Sequence, residues 1–178
     1  LATVSRKDLF LFQLKKVGVV NVRFNEKVKE IQKDKVITDK GEYSYRYLVG
    51  ADGSNSVVAK YLGVRPELSI AANANIRVSI DVPLWFVDHS VLGSGYHWVF
   101  PHKEFTSVGI YRDRSGDLKE NDLTFLKEKI RELGVSPESA DIRTDVINTG
   151  YRGVCFKNIF LVGDAAGLAL KSTGEGIP

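Results

Sequence analysis

Hydrophobic and polar positions change spacing several times along the chain, and each change predicts a new element. Ser5 and Asp8 stand where a helix opens, Leu9, Phe12 and Lys16 follow at helical spacing, and Gly18 offers a stop, so a helix is expected over residues 6–17. Beyond it Val20, Val22 and Phe24 alternate, Val28 and Ile31 begin another extended stretch, and Lys33-Asp34-Lys35 turns into Val36-Ile37-Thr38. With Gly41-Glu42 as the next turn, these runs predict a small antiparallel meander. Tyr47-Leu48-Val49-Gly50-Ala51 is a short apolar run of the kind buried on both faces of a parallel sheet, and Asp52-Gly53 ends it. Residues 54–62 then read as a helix closed by Gly63.

The middle of the chain follows a different rule. Ile76, Val78, Ile80 and Val82 alternate with Arg77, Ser79 and Asp81, predicting a half-buried strand over 73–82. Two further strands, Tyr96–Phe100 and Phe105–Tyr111, flank Pro101-His102-Lys103-Glu104, and a helix over about 121–133 carries Leu123, Phe125, Leu126, Ile130 and Leu133 up to Gly134. A buried-type strand then returns in Asn158–Asp164, again with Gly-Asp at its carboxyl end, where ligands bind in open α/β sheets. The predicted fold is α/β: two returns to one parallel, Rossmann-like sheet with an inserted, largely antiparallel α+β domain. The corresponding boundaries are 1–66, 67–150 and 151–178.

Composition narrows the function classes. The 178 residues are 43% hydrophobic and 26% charged, enough for a real core and unlike a disordered chain. The 25 basic and 22 acidic side chains are interspersed, and the densest basic patches, Lys15-Lys16 and Lys27–Lys35, are unlike the concentrated basic face that nucleic acid calls for. The single Cys155 forms no intrachain disulfide and is expected in the core, and the three histidines have no metal-ligand spacing. No apolar run approaches a membrane span and the first residues carry no secretory pattern, so a cytoplasmic protein is expected, with peripheral membrane contact left open.

The candidate chemistry lies at the two strand ends, Val49-Gly50-Ala51-Asp52-Gly53 and Leu161-Val162-Gly163-Asp164-Ala165-Ala166. Each aims a carboxylate into a glycine-bearing turn, where it can accept from a polyol hydroxyl or cap the next helix. Asp52-Gly53-Ser54-Asn55-Ser56 together with Gly163-Asp164-Ala165-Ala166 resembles the DG and GD motifs of the FAD-dependent monooxygenase and geranylgeranyl reductase superfamily. Val4–Phe10 is similar to that family's arginine-bearing helix start, and Tyr96-His97-Trp98-Val99-Phe100-Pro101, followed by Gly109, resembles its reductase-branch Y-x-W-x-F-P segment.

The resemblance implies an FAD site at Arg6, Asp52, Gly53, Gly163, Asp164, Gly174, Gly176 and Ile177, with Asp164 on the ribityl chain. The Thr173–Ile177 stretch would lie at a helix start beneath the flavin. It also implies a hydrophobic or lipid substrate against Tyr96, Trp98, Phe100 and Pro101. The sequence departs from the pattern at Ala59-Lys60, where an arginine is common, and at Tyr111, where a second glycine is common and a ring would shorten the pocket. Lys60 also reads as a plain solvated helix residue.

A complete enzyme of this kind opens with G-x-G-x-x-G, and the nearest match here, Gly93-Ser94-Gly95-Tyr96-His97-Trp98, leads into a strand. The expectation is therefore a partial enzyme lacking its N-terminal flavin-binding segment, with strand edges open to self-association. Its reaction would be reduction of an isoprenoid or other hydrophobic substrate, with NAD(P)H or another electron donor. The alternatives are an FAD monooxygenase or dehydrogenase, or a non-catalytic fragment needing a partner chain.

Overall fold

The computed structural model describes residues 6–17, 21–87, 89–113 and 120–176, with the backbone alone at Arg6, His89 and Val91. Helix α1, Arg6–Lys16, carries Asp8 in its first turn and Lys15 and Lys16 in its last, the charge order that suits the helix dipole. The meander forms as expected from β1 (Val28–Ile31), β2 (Lys35–Thr38) and β3 (Glu42–Ser44), all antiparallel. Its second turn is Asp39-Lys40, and Glu42 already opens β3. No strand forms over residues 21–27. Alternation records a preference of face, but a strand also needs a free edge, and the chain is caught at Lys27 by paired bonds with Asp39 instead.

The second sheet is built from β4 (Leu48–Gly50), β10 (Cys155–Phe156) and β11 (Ile159–Leu161), in the order β10-β11-β4. Its β4 and β11 run parallel although more than a hundred residues separate them, so the chain does return to one sheet after an insertion. Helix α2, Val57–Tyr61, packs on this sheet. It is shorter than expected because Asp52 and Ser56 cap it at Val57, leaving residues 54–55 in a turn. A Cβ on Gly50 would lie 2.7–2.8 Å from Val58 and Leu161, so the missing side chain lets the helix close on the strands. Val58, Ala59, Ile159, Leu161, Ala165, Ala166 and Ile31 form this core. The expectation of burial on both faces fails: Tyr47 and Val49 are 60% and 56% exposed, because α2 covers only the Leu48–Gly50 side. Cys155 is exposed rather than in the core, since β10 is an edge strand.

The third sheet has five antiparallel strands in the order β6-β7-β8-β5-β9, from β5 (Leu68–Ile76), β6 (Leu84–Phe86), β7 (Tyr96–Pro101), β8 (Thr106–Arg112) and β9 (Arg143–Asn148). The short helix α3, His89–Leu92, joins β6 to β7. Strand β5 begins and ends earlier than the alternation suggested. Its middle, residues 71–74, is Ala-Ala-Asn-Ala, small residues with little hydrophobic signal, and Val78 and Ile80 pack against the core from beyond the strand. Val82 is exposed.

Helix α4, Glu120–Glu132, covers one face of this sheet with Phe125, Leu126 and Ile130 against Ala72, Ala74, Val108 and Ile110. Asp122, fully buried in its first turn, pairs with Arg112 at the end of β8. Among the described residues no helix is long and apolar enough to cross a membrane, and no group of His, Cys, Asp and Glu side chains is placed to hold a metal.

Candidate functional site

The two acidic turns behave differently. Asp52 follows β4 and its carboxylate is engaged by α2: Oδ1 accepts from the Ser56 hydroxyl at 2.6 Å and Oδ2 from the Val57 amide at 2.7 Å. Ser56 Oγ in turn accepts from the Ala59 amide at 2.9 Å. Asp52 therefore organises a helix start, and both its oxygens already have donors. The neighbouring Gly53 has positive φ and open space where a side chain would be.

Asp164 follows β11 in a single 3-10 turn, Gly163–Ala166, and its carboxylate caps nothing. Its Oδ2 accepts from Ser54 Oγ at 3.3 Å. Oδ1 faces Gly176, where a Cβ would sit 3.1 Å away. The parallel pairing of β4 with β11 thus brings the two motifs together, and Ser54 of the first reaches Asp164 of the second across 110 residues of chain. Gly163, like Gly53, has positive φ and open space at its Cβ position.

Asn148, at the end of β9, ties this junction and was missed by sequence reasoning. Its Nδ2 donates to the Asp164 carbonyl at 3.0 Å, its Oδ1 accepts from the Glu67 and Gly150 amides at 3.1 Å each, and its own amide donates to Ser54 Oγ at 3.0 Å. The side chain is 2% exposed. The available signal was an Asn-Thr-Gly ending a strand just before the second sheet resumes, which by itself marks only a turn.

The face of the five-stranded sheet turned away from α4 is aromatic. Tyr96, Trp98 and Phe100 stand in a row along β7, with His97 and Val99 on the core side. Trp85 on β6 lies 5.3 Å from Tyr96 between ring centroids, and Tyr111 on β8 lies 5.4 Å from it on the other side. The Trp98 indole covers Gly109, where a methyl would overlap it, and Nε1 donates to Ser107 Oγ at 3.1 Å. Trp98 and Phe100 stack at 6.2 Å, and Pro101 ends the strand. The wall is half-buried, and no helix lies on it among the described residues.

One end of this wall meets the glycine turn that follows Asp164. Tyr96 donates its hydroxyl to the Thr173 carbonyl at 2.6 Å, and Tyr111 donates to the Lys171 carbonyl at 2.7 Å. Burial pushes the Tyr96 phenol up to about 12, with the Glu175 charge adding to it, and burial likewise raises Tyr111. Lys171 also pairs with Glu67, and that hydrogen bond holds the Glu67 carboxyl below its ordinary value.

Of the expected cofactor residues, Asp164, Gly163, Gly53, Asp52, Gly174 and Gly176 surround or adjoin the junction of the two motifs. Arg6 opens α1, but its side chain lies outside the described residues, as does Ile177 altogether. Lys60 is exposed on α2. An open depression of about 680 Å³ along Gly63–Leu68 and Arg152 is separate from the aromatic face.

No family model matches the chain. It is 32% identical to an uncharacterized protein of Methanosarcina barkeri over 98% of this chain and 48% of that protein. It is 28% identical to a geranylgeranyl diphosphate reductase of Rhodobacter capsulatus over 83% of this chain and 40% of the relative. The chain thus spans less than half the length of these curated relatives. Among solved structures, a geranylgeranyl bacteriochlorophyll reductase-like protein of Thermoplasma acidophilum superposes with TM-score 0.63 at 20% identity, over 87% of this chain and 42% of that one. HpxO of Klebsiella pneumoniae, solved with FAD and uric acid, superposes with TM-score 0.60 at 19% identity, over 92% and 48%. With these relatives and the shared mixed α/β fold, the chain belongs to the superfamily of geranylgeranyl reductases and FAD-dependent monooxygenases.

Proposed function

We propose that the protein containing this chain is an FAD-dependent oxidoreductase of the geranylgeranyl reductase kind, reducing carbon–carbon double bonds of an isoprenoid or similarly hydrophobic substrate. One observation carries the reading: the junction of Ser54, Asp164 and Gly176 opens beside the end of an aromatic wall. A polar cradle fit for a polyol thus adjoins an apolar surface fit for a hydrocarbon. Residues 1–66 and 151–178 would form the cofactor side and 67–150 the substrate side, a division that the two separate cores support.

The open positions at Gly53 and Gly163, and the Asp164 oxygen facing a residue without a side chain, are consistent with such a group. Asp164 would accept from a ribityl hydroxyl, and Gly174 and Gly176 would let the backbone approach the ring. Asp52 would act one step back, shaping the turn from which Ser54 reaches Asp164. Bound there and first reduced by NAD(P)H or another donor, the flavin would supply hydride equivalents. Tyr96, Trp98 and Phe100 would orient the substrate and exclude water from it. HpxO, similar in fold, was solved with FAD.

The test is Asp164→Ala in the intact enzyme, with flavin content measured after gel filtration. A charge-assisted hydrogen bond of about 1.5–3 kcal/mol should be lost, and FAD with it. Full occupancy and unchanged affinity in a folded variant would remove Asp164 from the cofactor site. The Tyr111 ring, buried at the turn end of the wall, favours a second reading with a short, flat aromatic substrate. Substrate-stimulated NADPH oxidation with a detectable flavin hydroperoxide would select that one.

A further inference from the structure

Two phenolic hydroxyls from adjacent strands reach the same turn. Tyr96 on β7 and Tyr111 on β8 are direct cross-strand neighbours, and their hydroxyls donate to the carbonyls of Thr173 and Lys171, two residues apart. The Tyr111 ring also fills the space over Gly174: a Cβ there would sit 2.7 Å from the ring and 3.2 Å from Ile147. Gly174 has φ +67, and its amide bonds to the Leu170 carbonyl at 2.6 Å, while the Leu170 amide bonds to the Glu175 carbonyl at 2.8 Å. The turn is thus a small closed loop clamped from the sheet. On its far side Lys171 is tethered to Glu67, whose amide is held by Asn148.

The same two rings belong to the aromatic wall, Tyr96 touching Trp85 and Trp98 as well as Tyr111. The half-buried Tyr96 ring can therefore meet a ligand on the wall, while its hydroxyl fixes the turn that leads to Gly176 and the Asp164 carboxylate. A phenol is protonated at neutral pH at its ordinary value, and burial raises both further, so both hydroxyls are donors.

We propose that Tyr96 and Tyr111 are positioning residues that clamp the Lys171–Gly174 turn, holding its backbone in place for the cofactor and linking occupancy of the aromatic wall to the cofactor side. The inference rests on the functional reading above for the identity of that cofactor, but not for the clamp itself.

The experiment uses the full-length protein with Tyr96→Phe, Tyr111→Phe and the double substitution, which keep both rings and delete only the hydroxyls. Amide exchange of residues 168–176 is followed in the flavin-free protein, with α4 as an internal check on folding. Deleting each hydroxyl is expected to speed exchange of the Leu170 and Gly174 amides about fivefold, and both together about twentyfold, with α4 unchanged. FAD affinity of the double variant should fall by a similar factor. Unchanged exchange at 168–176 would overturn the clamp. Faster exchange with unchanged FAD affinity would overturn its role toward the cofactor while leaving the functional reading intact. Failure of the wild-type protein to bind FAD at all would instead defeat the functional reading, and with it the cofactor half of this proposal.

Discussion

Replacing Asn148 by alanine should destabilise the protein more than any other single loss of a polar side chain at the site. The substitution removes three hydrogen bonds, to the Asp164 carbonyl and from the Glu67 and Gly150 amides. Glu67 is only partly buried and its amide can recruit water. Gly150 and the interior side of the Asp164 turn cannot do so as readily, since Gly150, Ala165 and Ala166 are all buried. An unsatisfied buried group costs about 1–3 kcal/mol, so two give a loss of roughly 3 kcal/mol. For a chain of this size that is a fall in Tm of about 6–12 °C. Urea and thermal unfolding of wild type and Asn148→Ala provide the comparison.

Asn148→Asp sharpens that test. It keeps the acceptor for Glu67 and Gly150 but turns the Nδ2 donor into a carboxylate oxygen facing the Asp164 carbonyl. Its loss should be largest at neutral pH and partly recovered in acid, where the protonated carboxyl can donate again. A loss below about 1 kcal/mol in Asn148→Ala, against the range expected for buried unsatisfied groups, would refute the argument that this side chain ties the Asp164 turn to Glu67 and Gly150.

Trp98→Ala should raise the apparent KM for a hydrophobic substrate or lower turnover more than it weakens FAD binding, and an equal or larger loss of FAD affinity would count against a substrate wall. Gly109→Ala should act in the same direction with the indole still present, because a methyl there displaces Trp98. Cys155 should react with a thiol reagent in the native protein without prior unfolding, as its exposure on an edge strand requires, and modification only in denaturant would show it covered. The Lys171–Glu67 tether lowers the Glu67 pKa from an ordinary 4.5, so its contribution is present above that value and is lost as pH falls through the lowered one. The stability difference between wild type and Glu67→Gln should therefore close in acid, and a difference independent of pH would show that the tether contributes nothing.

The amino-acid sequence alone determined the elements whose signals are local. Helix α4 was legible from its spacing and closing glycine, and the β7–β8 hairpin and the β1–β3 meander from alternation and turn residues. The row of Tyr96, Trp98 and Phe100 on one face follows from strand geometry, and the pair of acidic turns from their flanking apolar runs. Where the hydrophobic signal was weak or had no partner, the reading failed. Alanines in the middle of β5 weakened its signal, and the alternation at residues 22–24 found no edge to pair with.

What only the tertiary structure decided was which polar atoms meet. That Asp52 is consumed by its helix while the Asp164 carboxylate meets Ser54 and faces Gly176 depends on where those residues lie in space. The burial of Asn148 and the two tyrosine hydroxyls on the glycine turn likewise join positions 60 to more than 70 residues apart. Hydrophobic pattern is carried by neighbours a few residues away and can be read along the chain. A hydrogen bond between distant segments is settled within a few tenths of an ångström by the packing of sheets against one another, and no local spacing records it.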